Sequence, residues 1–285
     1  MRRGQLIETG VTIFATASAV SPGTLARTVE ERGHSALYFA EHTHLPVTPQ
    51  TAQLPPIFSS TLDPFVAATA AAATTSSLRV GSAICLVAQH DPIVLAKTVA
   101  SVDQLSAGRV DFGIGAGWVE QEMIHHGVDP ARRFARMKEH AEAIRTIWQQ
   151  DEAAFHGKHV SFERMWSWPK PVQRPHPPVL IGGMGPTVLD RVLAYGDGWL
   201  PDYANHETFL RTLRRVAELR SRAEETGRGP LPVVLAGLPH DPRVLEQCAE
   251  AGITRVLTLL PSEDGSTVER TLDSYGRSIE QWLGK

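Results

Sequence analysis

Residues 179–187 read VLIGGMGPT and pass from a short apolar run through glycines to a proline. Proline is favoured at the first position of a helix, because its missing N–H group would have no intrahelical partner there. The stretch therefore predicts a strand, a tight turn and then a helix. Its apolar run does not alternate with polar residues, which is typical of a parallel strand covered on both faces.

The same order of strand and helix extends outward from this stretch and occurs eight times along the chain. The predicted strands span residues 10–15, 36–41, 79–86, 110–115, 179–181, 198–201, 233–236 and 256–260. The predicted helices span residues 24–32, 64–75, 93–105, 132–150, 187–194, 208–226, 242–251 and 268–283. Eight such units predict an α/β fold, a closed (β/α)8 TIM barrel.

The barrel accounts for the whole chain of 285 residues, so that we expect one domain, 1–285. Two connections are too long for plain turns: residues 42–62 after the second strand, and residues 151–178 before the fifth. In a compact domain, loops longer than ~12–15 residues are usually functional lids or local insertions. We expect residues 151–178 to form an insertion in the same barrel.

Composition and charge argue against nucleic acid and membranes as partners, and we expect a small-molecule substrate. The chain has 28 Lys and Arg against 31 Asp and Glu, a net charge of -3, which gives no basic surplus for binding nucleic acid or an anionic membrane. Its uncharged stretch 64–78 is shorter than the ~20 apolar residues that a membrane-spanning helix needs. Two distant cysteines, Cys85 and Cys248, build no disulfide framework, and we expect a cytoplasmic protein.

An acid and two histidines leave the second predicted strand together, as Glu41, His42 and His44. Reactive groups of a (β/α)8 barrel sit at the carboxyl ends of its strands, and imidazole titrates near neutral pH. Glu41 or His42 could therefore bond a cofactor ring or move a proton; a solvated strand-to-loop junction is the alternative. The His-x-His pair also suits a zinc hydrolase, but the fifth to seventh strand ends offer no further histidine, and we expect no metal.

Glycines mark three other strand ends. Gly in the strand 79–86 is typical of a bulge or of the close approach of a flat ligand; a strand of small residues packed under a helix is the alternative. Residues 113–118 (GIGAGW) resemble a dinucleotide fingerprint, but Trp118 stands where the third glycine belongs and this strand is the fourth, so that a Rossmann interpretation is weak. In residues 182–187, free backbone amides at a helix start predict an anion site; a tight turn with ordinary capping is the alternative.

Nine segments, taken together and in this order, resemble the luciferase-like monooxygenase superfamily, and within it the branch that depends on the deazaflavin coenzyme F420. The resemblance runs from about Leu6 to Asp202. Its segments are residues 36–42, 63–68, 74–81, 91–97, 103–109, 113–118, 169–173, 181–183 and 196–199. Their joint occurrence is specific for the superfamily and less so for the cofactor.

The resemblance implies a barrel that holds a tricyclic redox ring at its carboxyl end, over the third strand. In relatives a non-prolyl cis peptide supports the ring, and the matching bond is Ala83–Ile84. The cofactor phosphate would lie on Gly182, Gly183 and Met184, with His42 and Glu41 as catalytic residues beside the ring. The full set of expected cofactor-binding residues is Ser82, Ala83, Ile84, Gly115, Ala116, Gly117, Gly182, Gly183, Met184 and Gly185.

One departure from the resemblance bears on the substrate. Relatives that oxidise sugar phosphates carry a catalytic Glu just after the fourth strand, where this chain has Trp118 and Val119, and Glu120 is the nearest acid. An aromatic wall of Trp118, joined by Trp166 or Trp168 from the insertion, suits an apolar or planar substrate better. Trp118 and Trp166 are therefore the expected substrate-binding residues.

These observations favour an oxidoreductase that transfers a hydride between coenzyme F420 and a small, apolar or planar organic substrate. An FMN-dependent luciferase-like monooxygenase is the alternative within the same pocket. A barrel that binds a flavin-like ligand without turnover is a third hypothesis. Relatives often dimerise through barrel helices, and a homodimer is possible on that ground.

Overall fold

Eight parallel strands surround the centre of the molecule in a computed structural model that describes residues 7–284. Residues 1–6 and 285 of the expected domain, including Leu6 where the resemblance begins, lie outside the described residues. The strands in chain order are β1 (Glu8–Ile13), β2 (Ala36–Phe39), β3 (Arg79–Ser82), β4 (Val110–Ile114), β5 (Glu152–His156), β6 (Ser161–Trp166), β7 (Val179–Gly182), β8 (Gly198–Leu200), β9 (Val234–Ala236) and β10 (Arg255–Leu259).

All strands but β5 and β6 form one sheet in the order β8-β7-β4-β3-β2-β1-β10-β9. Two isolated bridges, Trp199 to Val233 and Asp202 to Ala236, join β8 to β9 and bring the ends of the sheet together. The structure therefore confirms the predicted (β/α)8 barrel, and each of the eight predicted strands has its counterpart.

Nine α-helices lie among the described residues. Asp63, Asp91 and Asp241 each precede a proline at a helix start, and each side chain accepts hydrogen bonds from the first free backbone amides, which is the favoured chemistry of a helix N-terminus. The helices are α1 (Pro22–Glu31), α2 (Pro64–Ala72), α3 (Pro92–Leu105), α4 (Glu120–His125), α5 (Arg133–Gln149), α6 (Val188–Tyr195), α7 (His206–Glu225), α8 (Pro242–Ala251) and α9 (Gly265–Trp282).

Strand side chains alternate between the barrel interior and the layer beneath the helices. In β2, Ala36 and Tyr38 belong to the small interior cluster, whereas Leu37 and Phe39 belong to the large cluster between strands and helices. All four are buried, as the unbroken apolar pattern predicts. The interior of the barrel is therefore a packed core, and a cavity for a ligand has to lie at one of its ends.

The expected insertion at residues 151–178 contains structure that the sequence analysis did not predict. Strands β5 and β6 pair as an antiparallel hairpin outside the barrel sheet. The short helix α4, after β4, was also missed. Among the described residues, no helix combines the length and the hydropathy that crossing a membrane requires.

Candidate active site

A cavity of about 340 Å³ opens at the carboxyl ends of the strands, where a (β/α)8 barrel carries its reactive groups. We call it the central cavity. Most of the predicted site residues meet here, although they come from four separate strand ends. Its lining consists of Phe14, Ala40, Glu41, His42, Phe58, Ala83, Ile84, Leu86, Gly115, Ala116, Gly117, Trp118, Phe134, Gly182, Gly183, Met184, Gly185 and Arg191.

The floor of the central cavity is uncharged and comes from the end of β3. The Ala83–Ile84 peptide bond is cis, as the resemblance predicted. Ile84 packs between two glycines: a Cβ at Gly115 would lie 2.5 Å from Ile84 Cδ1, and one at Gly182 would lie 2.7 Å from Ile84 Cγ2. These glycines therefore make room for Ile84, which with Ala83 forms an apolar surface in the cavity.

The loop that joins β7 to α6 lies at one side of the cavity. Side chains that do not line the cavity donate hydrogen bonds to its carbonyl groups. Trp199 Nε1 donates to Gly183 O at 3.0 Å. The Arg215 guanidinium donates to Met184 O at 3.0 Å and to Pro186 O at 2.8 Å. Because C=O and N–H point in opposite directions across a trans peptide, these bonds turn the following amides away from Trp199 and Arg215. Of the residues concerned, Met184 lines the cavity.

The amides of Met184, Gly185 and Thr187 make no hydrogen bond to any residue in the range 7–284. Gly183 has φ +108°, which other residues rarely adopt, and a Cβ there would meet nothing within 4 Å. Arg191, which lines the cavity, bonds Thr187 Oγ1 at 2.7 Å and has a buried Nε without a partner among the described residues. This end of the cavity therefore offers hydrogen-bond donors of the kind that an anion binds.

On the opposite side, His42 is fixed by a buried carboxylate. His42 Nδ1 lies 2.9 Å from Glu122 Oε2, and Glu122 has no exposed surface. Burial raises the pKa of the Glu122 carboxyl, but the hydrogen bond and charge of His42 outweigh burial, so that this pKa lies below its ordinary value. Within residues 7–284, His42 Nε2 has no hydrogen-bond partner, which leaves this nitrogen for a ligand in the cavity.

The neighbouring acid, Glu41, faces a different histidine. Glu41 Oε1 lies 2.8 Å from His90 Nε2, and the Leu86 amide donates to Glu41 Oε2 at 2.5 Å. Burial, followed by the charge of Glu41, raises the pKa of the Cys85 thiol well above its ordinary value. Glu41 and His42 therefore belong to two separate carboxylate–imidazole pairs, Glu41–His90 and Glu122–His42.

An aromatic wall stands over His42. The rings of Phe58 and Trp118 both meet the His42 ring edge to face, with centroids 5.3 Å and 5.8 Å away. Phe58 was missed by the sequence analysis, because it lies in the long loop after β2 and nothing nearby marks it. The wall supplies the apolar side of the cavity that a planar ligand would contact.

Two predicted site residues do not line the central cavity. Trp166 is 75% exposed at the end of β6 and borders a separate surface depression with Glu152 and Arg164, so that its predicted place in the aromatic wall is wrong. Ser82 is fully buried below the floor, where its Oγ donates to Gly113 O at 2.7 Å. The other predicted residues all border the cavity.

Side chains that a metal ion could use gather at a different place from the His-x-His pair. Among residues 7–284, Glu41, Cys85 and His90 have ligand atoms within 4.8 Å of one another, but hydrogen bonds already join Glu41 to His90 and to a backbone amide. His42 turns to Glu122, whereas His44 Nε2 lies 2.8 Å from His125 Nδ1. The arrangement therefore does not present His42 and His44 as a joint ligand set.

The sequence pattern of the luciferase-like monooxygenase family matches residues 11–248. The chain belongs to this family. An uncharacterized protein from Mycobacterium tuberculosis (strain H37Rv) is 36% identical over 288 residues, covering 97% of each protein. An FMNH2-dependent dimethylsulfone monooxygenase from Pseudomonas putida is 30% identical over 158 residues, which are 54% of this chain and 42% of that enzyme.

Solved structures of other enzymes share the fold. Monooxygenase RslO1 from Streptomyces bottropensis superposes with a TM-score of 0.81 over 96% of this chain and 99% of its own, at 18% identity. An F420-dependent secondary alcohol dehydrogenase superposes with a TM-score of 0.76 over 98% of this chain and 99% of its own, also at 18% identity. The proteins that this chain resembles thus include one enzyme that depends on F420 and one that depends on FMNH2.

Proposed function

We propose that this luciferase-like protein is an oxidoreductase that transfers a hydride between the deazaflavin coenzyme F420 and a small, apolar or planar organic substrate. One observation carries the proposal. The central cavity joins an apolar floor, a loop with free backbone amides and an imidazole held by a buried carboxylate. A tricyclic redox cofactor with a phosphate on its tether needs these three features together.

The residues of the cavity fit such a cofactor. The amides of Met184, Gly185 and Thr187, with the Arg191 guanidinium and its unpartnered Nε, would hold the phosphate. Ala83 and Ile84 would support the ring from below. When bound, the deazaflavin supplies a ring carbon that accepts or donates a hydride. The protein contributes binding, orientation and the handling of protons.

His42 is the residue best placed to exchange a proton with the substrate. Its Nδ1 is occupied by Glu122, so that Nε2 faces the cavity between Phe58 and Trp118. A carboxylate partner fixes the orientation of the ring and stabilises its protonated form. The aromatic wall excludes water from the reacting groups and favours a substrate with an apolar face.

An FMN-dependent monooxygenase is the second candidate, because the relative from Pseudomonas putida carries FMNH2 in its name and is 30% identical over 158 residues. The same floor and anion loop would serve FMN. The two cofactors differ at one ring position, where deazaflavin has carbon and flavin has nitrogen. Reduced flavin reacts readily with oxygen and reduced deazaflavin does so poorly, which separates the two chemistries.

Titration of the protein with coenzyme F420 and with FMN, followed by fluorescence, tests the proposal. We expect F420 to bind more tightly than FMN, and we expect turnover with a panel of small alcohols, ketones and planar unsaturated compounds. Tight binding of FMN without binding of F420 would transfer the assignment to a monooxygenase. If His42→Ala changed neither affinity nor rate, His42 would have no part in the chemistry.

A further inference from the structure

We propose that Glu41 and His90 form a proton path that connects the central cavity with a second cavity on the outside of the barrel. The proposal rests on the proposed function, in which hydride transfer in the central cavity is accompanied by the gain or loss of a proton. It assigns a role to His90, which lies outside the central cavity.

The second cavity, which we call the side cavity, also has a volume of about 340 Å³. It lies between the start of α3, helix α5 and the β5–β6 hairpin. His90, Arg136, His140 and His159 contribute to its polar lining, and exposed Asp91 and Ser161 stand at its border. The side cavity is therefore polar and reaches solvent.

Glu41 and His90 together span the wall between the two cavities. Glu41 lines the central cavity and His90 lines the side cavity, and Glu41 Oε1 lies 2.8 Å from His90 Nε2. The Glu41 side chain is 2% exposed, whereas that of His90 is 22% exposed. One hydrogen bond thus joins a group at the central cavity to a group that solvent can reach.

Gln89, the residue before His90, also places polar atoms between the two cavities. Gln89 is buried, borders the side cavity, and has neither amide atom hydrogen bonded within residues 7–284. Its Nε2 lies 3.3 Å from where a Cβ would stand on Gly117, which lines the central cavity. Buried polar groups without protein partners are typical of positions that hold water.

The charges around His90 suit a group that gains and loses a proton. Burial lowers the pKa of the His90 imidazole, but the hydrogen bond and charge of Glu41 raise it by more, so that it lies above its ordinary value of 6.5. Within residues 7–284, His90 Nδ1 has no hydrogen-bond partner. The other titratable groups around the pair and the side cavity are Asp63, Cys85, Asp91, His126, Arg136, His140 and His159.

The proton balance of a substrate reduction is as follows. A bound reduced deazaflavin would supply two electrons to the substrate carbon as a hydride, and the substrate oxygen would take its proton from His42 Nε2. On the path, the Nε2–H bond of His90 breaks as an O–H bond forms on Glu41. That O–H bond then breaks as a water in the central cavity takes the proton and passes one of its own protons to His42 Nε2. A turn of the His90 ring then brings Nε2 to the side cavity, where it takes a proton from solvent, and oxidation of the substrate reverses each step.

The first test needs neither cofactor nor substrate. In the cofactor-free protein, we expect NMR signals of the His90 ring to titrate with a pKa above 6.5, and we expect Glu41→Gln to shift this pKa downward. A His90 that titrates at or below 6.5, or that ignores Glu41→Gln, would overturn the path whatever the enzyme catalyses.

The second test uses the loaded enzyme and His90→Gln, which keeps a hydrogen-bond donor for Glu41 and cannot carry the proton. We expect unchanged cofactor affinity and KM, a kcat about 100-fold lower, and loss of the pH inflection that belongs to His90. Added imidazole should restore turnover to His90→Ala. The control, His159→Gln, changes the side cavity without touching Glu41 and should behave as the wild type.

These outcomes separate the path from the proposed function. Full turnover and an unchanged pH profile in His90→Gln would overturn the path while leaving the oxidoreductase intact. A wild type that bound neither F420 nor FMN would overturn the proposed function, and the NMR titration would still decide whether Glu41 and His90 act as one unit.

Discussion

Glu122 shows how a single buried carboxylate determines which way a reactive side chain faces. It comes from the short helix α4, and it reaches back to His42 Nδ1 and to the Thr43 amide, at 2.9 Å and 3.0 Å. Both partners stand about 80 residues earlier in the chain. With Nδ1 and the neighbouring backbone both held, the His42 ring has one free nitrogen and one orientation.

We predict that Glu122→Gln lowers kcat about 100-fold, because the amide cannot stabilise a charged His42 during proton transfer. Cofactor affinity should change little, since Glu122 does not line the cavity. Steady-state kinetics and fluorescence titration measure the two effects. Glu120→Gln is the matched control: this exposed acid, two residues earlier, is expected to be silent, and an equal loss in both variants would contradict the role of Glu122.

The partners of single site residues were harder to predict from the sequence than the fold. Glu41 and His42 could be predicted because both directly follow a strand. Glu122 could not, since its partner lies far away in the sequence and α4 is too short to give a periodic pattern. The sequence pointed to Glu120 as the acid nearest to Trp118, but Glu120 is exposed in the structure.

The loop between β7 and α6 has a fixed backbone because a side chain of helix α7 binds its carbonyl groups. Arg215 of α7 bonds the carbonyl groups of three successive residues, Met184, Gly185 and Pro186. Those bonds fix the peptide planes, and the planes fix the direction of the amides. Arg215 is therefore a positioning residue, and it does not itself line the cavity.

We predict that Arg215→Met weakens binding of the phosphorylated cofactor about tenfold, which corresponds to ~1.4 kcal/mol, because the amides lose their common direction. Affinity for the same ring system without its phosphate should stay constant. Fluorescence titration with both compounds measures the difference. Arg214→Met, at an exposed neighbour in α7, is the control; equal losses for both compounds would show a general loss of structure instead.

At the scale of the whole molecule, the two ends of the barrel are built differently. The carboxyl end holds the cavity, whereas ion pairs close the amino end. Asp111 is buried there and accepts hydrogen bonds from Tyr38, Arg79 and Arg255, with the two arginines at 2.8 Å. Burial raises the pKa of Asp111, but Arg79 and Arg255 lower it by more, and the result lies below 3.8.

We predict that Asp111→Asn lowers the free energy of unfolding by about 3 kcal/mol at pH 7, because the partly buried Arg79 and Arg255 lose the buried carboxylate that they share. Since the folded pKa is lowered, the contribution of Asp111 is complete above the unfolded value of 3.8 and is lost as the pH falls through the folded pKa. Urea unfolding between pH 7 and pH 3 measures both effects. The control, Asp190→Asn, breaks a surface pair with Arg222 and should cost under ~1 kcal/mol.

The barrel as a whole could be predicted because its strands are apolar on both faces and are separated by capped helices. The hairpin of the insertion could not. Its strands carry the patterns EAAFH and SFERMW, in which buried and exposed positions mix, and such short segments give no clear period. The same pattern explains Trp166, whose aromatic character predicted a binding role while its position in β6 turns it to solvent.

The bridges between β8 and β9 give the barrel one weak seam. Every other neighbouring pair of its strands shares a ladder of at least two registered residues, but this pair is joined by isolated bridges, and Pro201 and Pro232 on either side cannot donate to it. Local opening begins where backbone bonds are fewest. The backbone amides of Trp199, Tyr203 and Ala236 should therefore exchange with deuterium sooner than those of β1 or β2. The barrel would then open between β8 and β9 before it unfolds globally.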